Sequence, residues 1–158
     1  MATRDGDGWV HCRCGAKHWG LNGAAGILLI DTECDTALLQ LRAEWTHGGQ
    51  TWGIPGGARD SHETAVEAAI RELEEELAVA NDVVEIVHDV LLTDHADWSY
   101  HTVIAIMSSV HELTPNEESV EARWVAIDEI HTMDLHPGLA EVWPELRIKV
   151  REVISAAR

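Results

Sequence analysis

The sequence predicts an α/β or α+β sandwich of sheet and helix, on three observations. The short apolar runs GILLID (26–31) and ALLQLR (37–42) flank the polar TECD and read as two strands joined by a turn. From Thr64 the spacing changes, because Val66, Ala69, Ile70, Leu73 and Leu77 recur at helical intervals as one buried stripe. Strand-like runs then return at VVEIVHDVLL (83–92), HTVIAIMSSV (101–110) and VEARWVAI (120–127), and a final helix is expected from about Gly138 onward.

Taken in order, residues 1–21 read as an amino-terminal extension of a single domain spanning 1–158, with no repeat, low-complexity tract or long linker to mark a second one. MATRDGDGWV lacks the apolar stretch of a signal peptide, and AAGILLI (24–30) is too short to span a bilayer. THGGQTWGIPGGARDSH (46–62) is rich in glycine and is expected to be loop. Thr64, with Glu67 three residues on, forms a capping box in which the hydroxyl takes an N–H that the first helical turn leaves orphaned. In the last strand Val120, Ala122, Trp124 and Ala126 alternate onto one side.

A chain of 158 residues with 46% apolar content supports one sizeable core. Its 28 acidic residues against 11 Lys and Arg give a formal charge of −17, a field that repels nucleic acid and anionic membrane alike. The expected partner is a small molecule, and an acidic one would need a cation between it and the protein. Cys12, Cys14 and Cys34 do not form a disulfide framework, which fits a reducing cytoplasm.

RELEEEL (71–77) poses the sharper question. At about 100° per residue, Glu72, Glu75 and Glu76 stand at i, i+3 and i+4 on one flank of the helix, while Glu74 points elsewhere. Glutamate runs on helices are usually solvated faces. This trio lies beside the apolar stripe, where like charges repel by about 0.2–0.5 kcal/mol per exposed pair and more when buried. Hard cations bound by oxygen would offset that repulsion.

The spacing Gly57, five residues, Glu63, seven residues, then Arg71-Glu72-Leu73-Glu74-Glu75-Glu76-Leu77-Ala78-Val79 resembles the box of the Nudix hydrolase family, MutT-like members included. Ala78 departs from it, standing where the family has Gly. The resemblance extends to WGIPGG (52–57) and RWVAIDEI (123–130). It implies the Nudix fold, a mixed β-sheet sandwiched between helices, and hydrolysis of a nucleoside diphosphate linked to another moiety with Mg²⁺ or Mn²⁺. The chemistry agrees, since a divalent ion neutralises the oxygens that repel a nucleophile from a pyrophosphate and lowers the pKa of bound water.

By motif position the resemblance implies Glu75 and Glu76 as metal ligands and Glu72 as a further ligand or the base that takes a proton from water. Arg71 would orient this group through charge-assisted hydrogen bonds. The Gly56 carbonyl is an added ligand, because paired glycines let the backbone approach closely. Glu63 is set on the substrate-binding side or in a structural role. A carboxylate from outside the box is assigned to Glu121, with Glu118 the alternative. Arg42 could meet a phosphate, and Trp45, Trp52 and Trp98 read as core packing or as platforms for a base.

Substrate follows by elimination. LLTDHADWSY lacks the Pro of ADP-ribose-type members, Tyr100 is displaced from the position it holds in dinucleoside polyphosphate members, and LLQLRAEWTHGGQTWGIPGG lacks the second Arg of the coenzyme A type. A nucleoside triphosphate or damaged nucleotide is left. The rival is a non-catalytic Nudix-fold module that binds or senses a nucleotide; such modules commonly lose box glutamates, and Glu63, Glu72, Glu75 and Glu76 are all kept here.

HCRCGAKHWG (11–20) is a separate matter, offering Cys12, Cys14 and His18 with His11 as zinc ligands of suitable type. Against that set, C-x-C is tighter than the usual knuckle, no second Cys pair follows, and adjacent His11 and Cys12 would struggle to reach one ion. His95 and His101 read as polar loop and strand residues with no assigned role.

Overall fold

Every residue of Ala24–Asp31 is buried, as a strand covered on both faces must be. In the computed structural model, which describes residues 4–46 and 49–158, this strand is the third of nine and the centre of the molecule. In chain order the elements are β1 (Trp9–His11), β2 (Lys17–Trp19), β3 (Ala24–Asp31), β4 (Thr36–Arg42), β5 (Trp52–Gly53) and β6 (Gly56–Ala58). Helix α1 (Ala65–Leu77), β7 (Glu85–Asp94), β8 (Ser99–Ile106), β9 (Ser119–Ala126) and α2 (Pro137–Ala157) follow. A seven-stranded mixed sheet runs β5-β4-β3-β8-β7, with β6 also on β3 and β9 also on β4. β3 and β8 are parallel; the other pairs are antiparallel.

Alternation along β3 divides the core in two. Leu28 and Ile30 join Leu39, Ile104, Val125 and the buried face of α2, while Ala25, Ile27 and Leu29 join Leu38, Val103 and the buried face of α1. The expected sandwich of a mixed sheet between helices is therefore present. Helix α1 starts where the capping box places it: the Glu67 N–H donates to Thr64 Oγ1 at 3.1 Å, and the Thr64 N–H donates to Glu67 Oε1 at 2.9 Å. Its buried face is Ala65, Ala68, Ala69, Leu73 and Leu77, rotated from the expected stripe so that Val66 and Ile70 lie only half-buried. Small residues at the first turns bring the helix backbone close to the sheet, which is why alanines displace larger side chains there.

The glycine-rich segment is not all loop. Glycine composition alone signals loop, whereas here the missing side chains permit pairing: β6 lies on Ala24–Gly26, and a Cβ at Gly26 would run into the Tyr100 hydroxyl. A Cβ at Gly56 would stand 2.6 Å from the Ala25 carbonyl and 2.9 Å from the same hydroxyl. His47 and Gly48 of that segment lie outside the described residues. Also unexpected is the β1–β2 hairpin, a separate two-stranded sheet. In β9, Val120 is 66% exposed, so the alternating face holds only from Ala122, which packs with Trp124 on the α1 side. Pro137 at the first turn and the His136 ring accepting from the Gly138 N–H open α2. Among the described residues no helix is long and apolar enough to cross a membrane.

Ala78 ends α1 in the left-handed conformation at φ 57°, its N–H donating to the Glu74 carbonyl. An L side chain there costs about 1–2 kcal/mol that glycine does not incur. Ala78→Gly is expected to raise the unfolding free energy by about 1 kcal/mol once glycine's greater freedom in the unfolded chain is subtracted. Urea denaturation checks this; an unchanged or lower midpoint would contradict the strained cap.

Candidate active site

The sheet splits at β3, and the split seats the acidic helix. β4 pairs β3 only at its end, Ile30↔Ala37 and Asp31↔Thr36, while β6 takes the beginning of the same edge. Gln40 of β4 and Gly56 of β6 therefore both face α1. Into that opening projects Glu76, 2% exposed, its Oε2 accepting from the Gly56 N–H at 2.8 Å and its Oε1 from Gln40 Nε2 at 3.3 Å. Ser119 Oγ donates to Gln40 Oε1 at 3.0 Å and so fixes the amide. Burial, reinforced by the Glu72 charge, pushes the Glu76 carboxyl up to about 8 despite both hydrogen bonds.

Arg71 organises the rest. Its Nε and Nη2 donate to the two oxygens of Glu63 at 2.8 Å each, Nη2 also to the Ala58 carbonyl at 3.0 Å, and Nη1 to Glu72 Oε1 at 2.8 Å. Glu75 lies 3.6 Å from Nη1. Hydrogen bonding to Arg71 holds the Glu63 carboxyl below its ordinary range, and the Asp60 N–H adds a further bond at 2.9 Å. Both oxygens are taken up this way, so Glu63 buttresses Arg71. Glu72 is pushed up to about 7, mainly by burial, with Arg71 opposing and Glu75 and Glu118 adding. A Cβ at Gly57 would stand 2.6 Å from Glu72 Oε1, so the first glycine of the box leaves room for this carboxylate. Glu74 is exposed, as helical geometry requires.

Glu121, the carboxylate expected from outside the box, lies away from this group. Glu121 pairs with Leu41, one residue out of step with the Gln40↔Ala122 pair, so it stands on the opposite face of the sheet from Gln40. There it is ion-paired with Arg123 at 2.8 Å. Glu118 instead acts on both Glu72 and Glu76. Its segment is tied to α1 through Asn116, whose N–H donates to the Glu76 carbonyl at 2.8 Å and whose amide donates to the Glu75 carbonyl at 3.2 Å. Arg42 ends β4, and its charge reaches the Tyr100 phenol, which burial and Glu76 push above its ordinary pKa. Trp52 packs on the α2 side, with the Arg123 guanidinium 4.9 Å over its ring.

Some participants were not legible in the sequence. Arg4 makes ion pairs with Glu75 and, at 3.4 Å, with Asp60, and nothing in the spacing of MATRDGDGWV signals it. Gln40, Asn116 and Tyr100 lie far from the box along the chain. Cys12, Cys14 and His18 form a separate group with His95, and not with His11. A concavity of about 880 Å³ along α2, lined by His131, Trp143, Pro144, Arg147 and Glu152 among others, contains none of the α1 carboxylates.

Charge decides what this arrangement can hold. Glu63, Glu72, Glu75, Glu76 and Glu118 share the site with two guanidinium groups, Arg71 and Arg4. Burial first, and the neighbouring carboxylates second, raise the Glu72 and Glu76 carboxyls, and an all-oxygen donor set of that kind suits a hard divalent cation. Unfolded, these carboxyls ionise near 4.5, whereas folded they keep protons to about 7 and about 8. The folded state thus binds more protons across that interval, and metal-free stability falls as pH rises through it. In EDTA the melting temperature is expected to drop between pH 5 and pH 8, and Glu76→Gln should flatten the decline. Parallel curves for the two proteins would contradict the assignment.

A family model described as NUDIX domain matches residues 20–146. A Mycobacterium tuberculosis protein carrying the provisional name 8-oxo-dGTP diphosphatase 3 is 45% identical over 151 residues, covering 90% of this chain and 70% of the relative. A Bifidobacterium longum nucleoside triphosphate pyrophosphatase/Nudix hydrolase fusion protein is 39% identical over 96% of this chain, which spans 33% of that longer protein. The crystal structure of RenU, a Nudix hydrolase from M. smegmatis, superposes with a TM-score of 0.86 at 40% identity, covering 97% of this chain and 98% of that one.

Proposed function

Since this chain belongs to the Nudix family and is a hydrolase of phosphoric anhydride bonds, we propose that it is a pyrophosphohydrolase of nucleoside triphosphates, dependent on Mg²⁺ or Mn²⁺, with an oxidised or otherwise damaged nucleotide as the favoured substrate. The observation that carries this reading is the desolvated Glu72–Glu76 pair beside Glu75 and Glu118, a set whose negative charge exceeds that of its protein partners. The name of the M. tuberculosis relative supports the choice of nucleotide, as does the absence of the ADP-ribose and coenzyme A signatures. A small molecule met in the cytoplasm is the setting that goes with it.

Glu75, Glu76 and Glu118, with the main chain at Gly56, would hold the cation; when bound, it screens the diphosphate and acidifies water. Each residue then has a definable task. Gly56 N–H and Gln40 fix the Glu76 carboxylate in one orientation, so no rotamer entropy is lost when it binds. Arg71 holds Oε1 of Glu72, presenting the remainder of that carboxylate to the cleft, where we assign it to accept the proton of the attacking water. Glu63 and the Ala58 carbonyl keep Arg71 from swinging toward Glu76.

These roles separate experimentally. Glu72→Gln is expected to lower kcat by about 10²–10⁴-fold while leaving metal affinity nearly intact. Glu76→Gln and Glu118→Gln should weaken metal binding itself, and Glu121→Gln should do neither. Isothermal titration with Mn²⁺ alongside turnover of a panel holding 8-oxo-dGTP, ordinary triphosphates, ADP-ribose and dinucleoside polyphosphates provides the check. Wild-type-like turnover by Glu76→Gln, or preference for ADP-ribose, would defeat the proposal.

A further inference from the structure

We propose that Cys12, Cys14, His18 and His95 form a structural zinc site that clips the β1–β2 hairpin to the turn between β7 and β8. One donor atom from each of the four lies within 4.8 Å of every other. Tetrahedral zinc, with Zn–S about 2.3 Å and Zn–N about 2.0–2.1 Å, spaces its ligand atoms about 3.3–3.8 Å apart, so closure requires movements of about 1 Å or less. Cys14 Sγ and His18 Nε2 already stand at 3.2 Å.

The local backbone is shaped for metal-bound thiolates. The Gly15 N–H donates to the Cys12 carbonyl and the Cys12 N–H to the Ala16 carbonyl, both at 3.0 Å, with Gly15 at φ 96°. This tight turn brings both thiols to one side, which is how so short a spacing converges. The Cys14 N–H points at Cys12 Sγ at 3.5 Å, a bond that favours sulfur carrying negative charge. Cys12 is itself buried, at 8% exposure.

Independent of the thiols, His95 Nδ1 is buried with no hydrogen-bond partner among the described residues. A polar atom desolvated in this way is costly unless something meets it, and three ligand-type side chains stand nearby. The two elements are also held in register. Trp98 stacks on the His18 ring at 4.3 Å and 15°, and donates from Nε1 to the Trp19 carbonyl at 3.2 Å. Arg13 grips Asp97 through its backbone N–H at 2.8 Å and its guanidinium at 2.9 and 3.1 Å.

Four protein donors leave no open coordination position, so the site is structural. Its soft sulfurs select zinc over the hard ions suited to the carboxylates of α1. The hairpin anchored here leads back to Arg4, Asp5 and Gly6, which contact Glu75, Ser61 and Asp60, so the clip secures the segment that flanks the acidic helix.

The test is metal analysis of the full chain purified without a histidine tag. About one zinc per chain is expected in the wild type and in Glu76→Gln, falling below about a tenth in Cys14→Ser and in His95→Ala. The Cys12 and Cys14 thiols should resist alkylation until a strong chelator is added, and cobalt reconstitution of the wild type should give a thiolate-to-metal charge-transfer band. That spectrum needs no substitution, so a variant that fails to fold leaves the test standing. Background zinc with freely alkylated thiols, a Cys12–Cys14 disulfide in the intact mass, or zinc lost in Glu76→Gln would overturn the proposal.

Discussion

Crowding of carboxylates against too few cations is the constraint on which this site depends. Glu76 sits almost fully out of water with two hydrogen bonds, yet its charged form is disfavoured, because burial and the neighbouring Glu72 outweigh what Gly56 and Gln40 supply. Arg71 relieves Glu63 and Glu72 but cannot reach Glu76, and Arg4 relieves only Glu75 and Asp60. A fold that keeps this arrangement gives up stability at a place where a smaller or neutral side chain would pack at lower cost. That pattern is expected of groups retained for chemistry rather than for structure.

The elements most legible in the sequence are those whose signal is local. Helix α1 could be read from its apolar period and from Thr64 with Glu67, since both its core face and its cap arise within one stretch of chain. The flanking of Glu72, Glu75 and Glu76 likewise follows from helical geometry alone. The rotation of the buried face toward Ala65 and Ala68 was not legible, because it depends on how closely the sheet approaches.

What stayed hidden is what the sheet brings together from afar. Glu121 and Glu118 are three residues apart and both acidic; the register of β9 against β4 turns Glu121 away from Gln40, while the Asn116 bonds to α1 bring the Glu118 segment close to Glu72 and Glu76. His95 joins Cys12, Cys14 and His18 across 77 positions of chain, and no spacing rule joins a β7–β8 turn to an amino-terminal hairpin. The β5 and β6 pairings were concealed for a different reason. Composition reads glycine as freedom, whereas at Gly26 and Gly56 it serves close approach.

The contact between Gly26, Gly56 and Tyr100 has an evolutionary corollary. Any side chain added at either glycine meets the phenol hydroxyl, so neither position can drift while the tyrosine stays. Shortening Tyr100 first would open a void beside Glu76 before the new methyl group arrived to fill it. Substitutions at these sites are therefore strongly non-additive. Even with the phenol gone, a Cβ at Gly56 would still meet the Ala25 carbonyl at 2.6 Å and one at Gly26 the Pro55 carbonyl at 2.9 Å, so the two glycines are held by backbone as well as by the tyrosine.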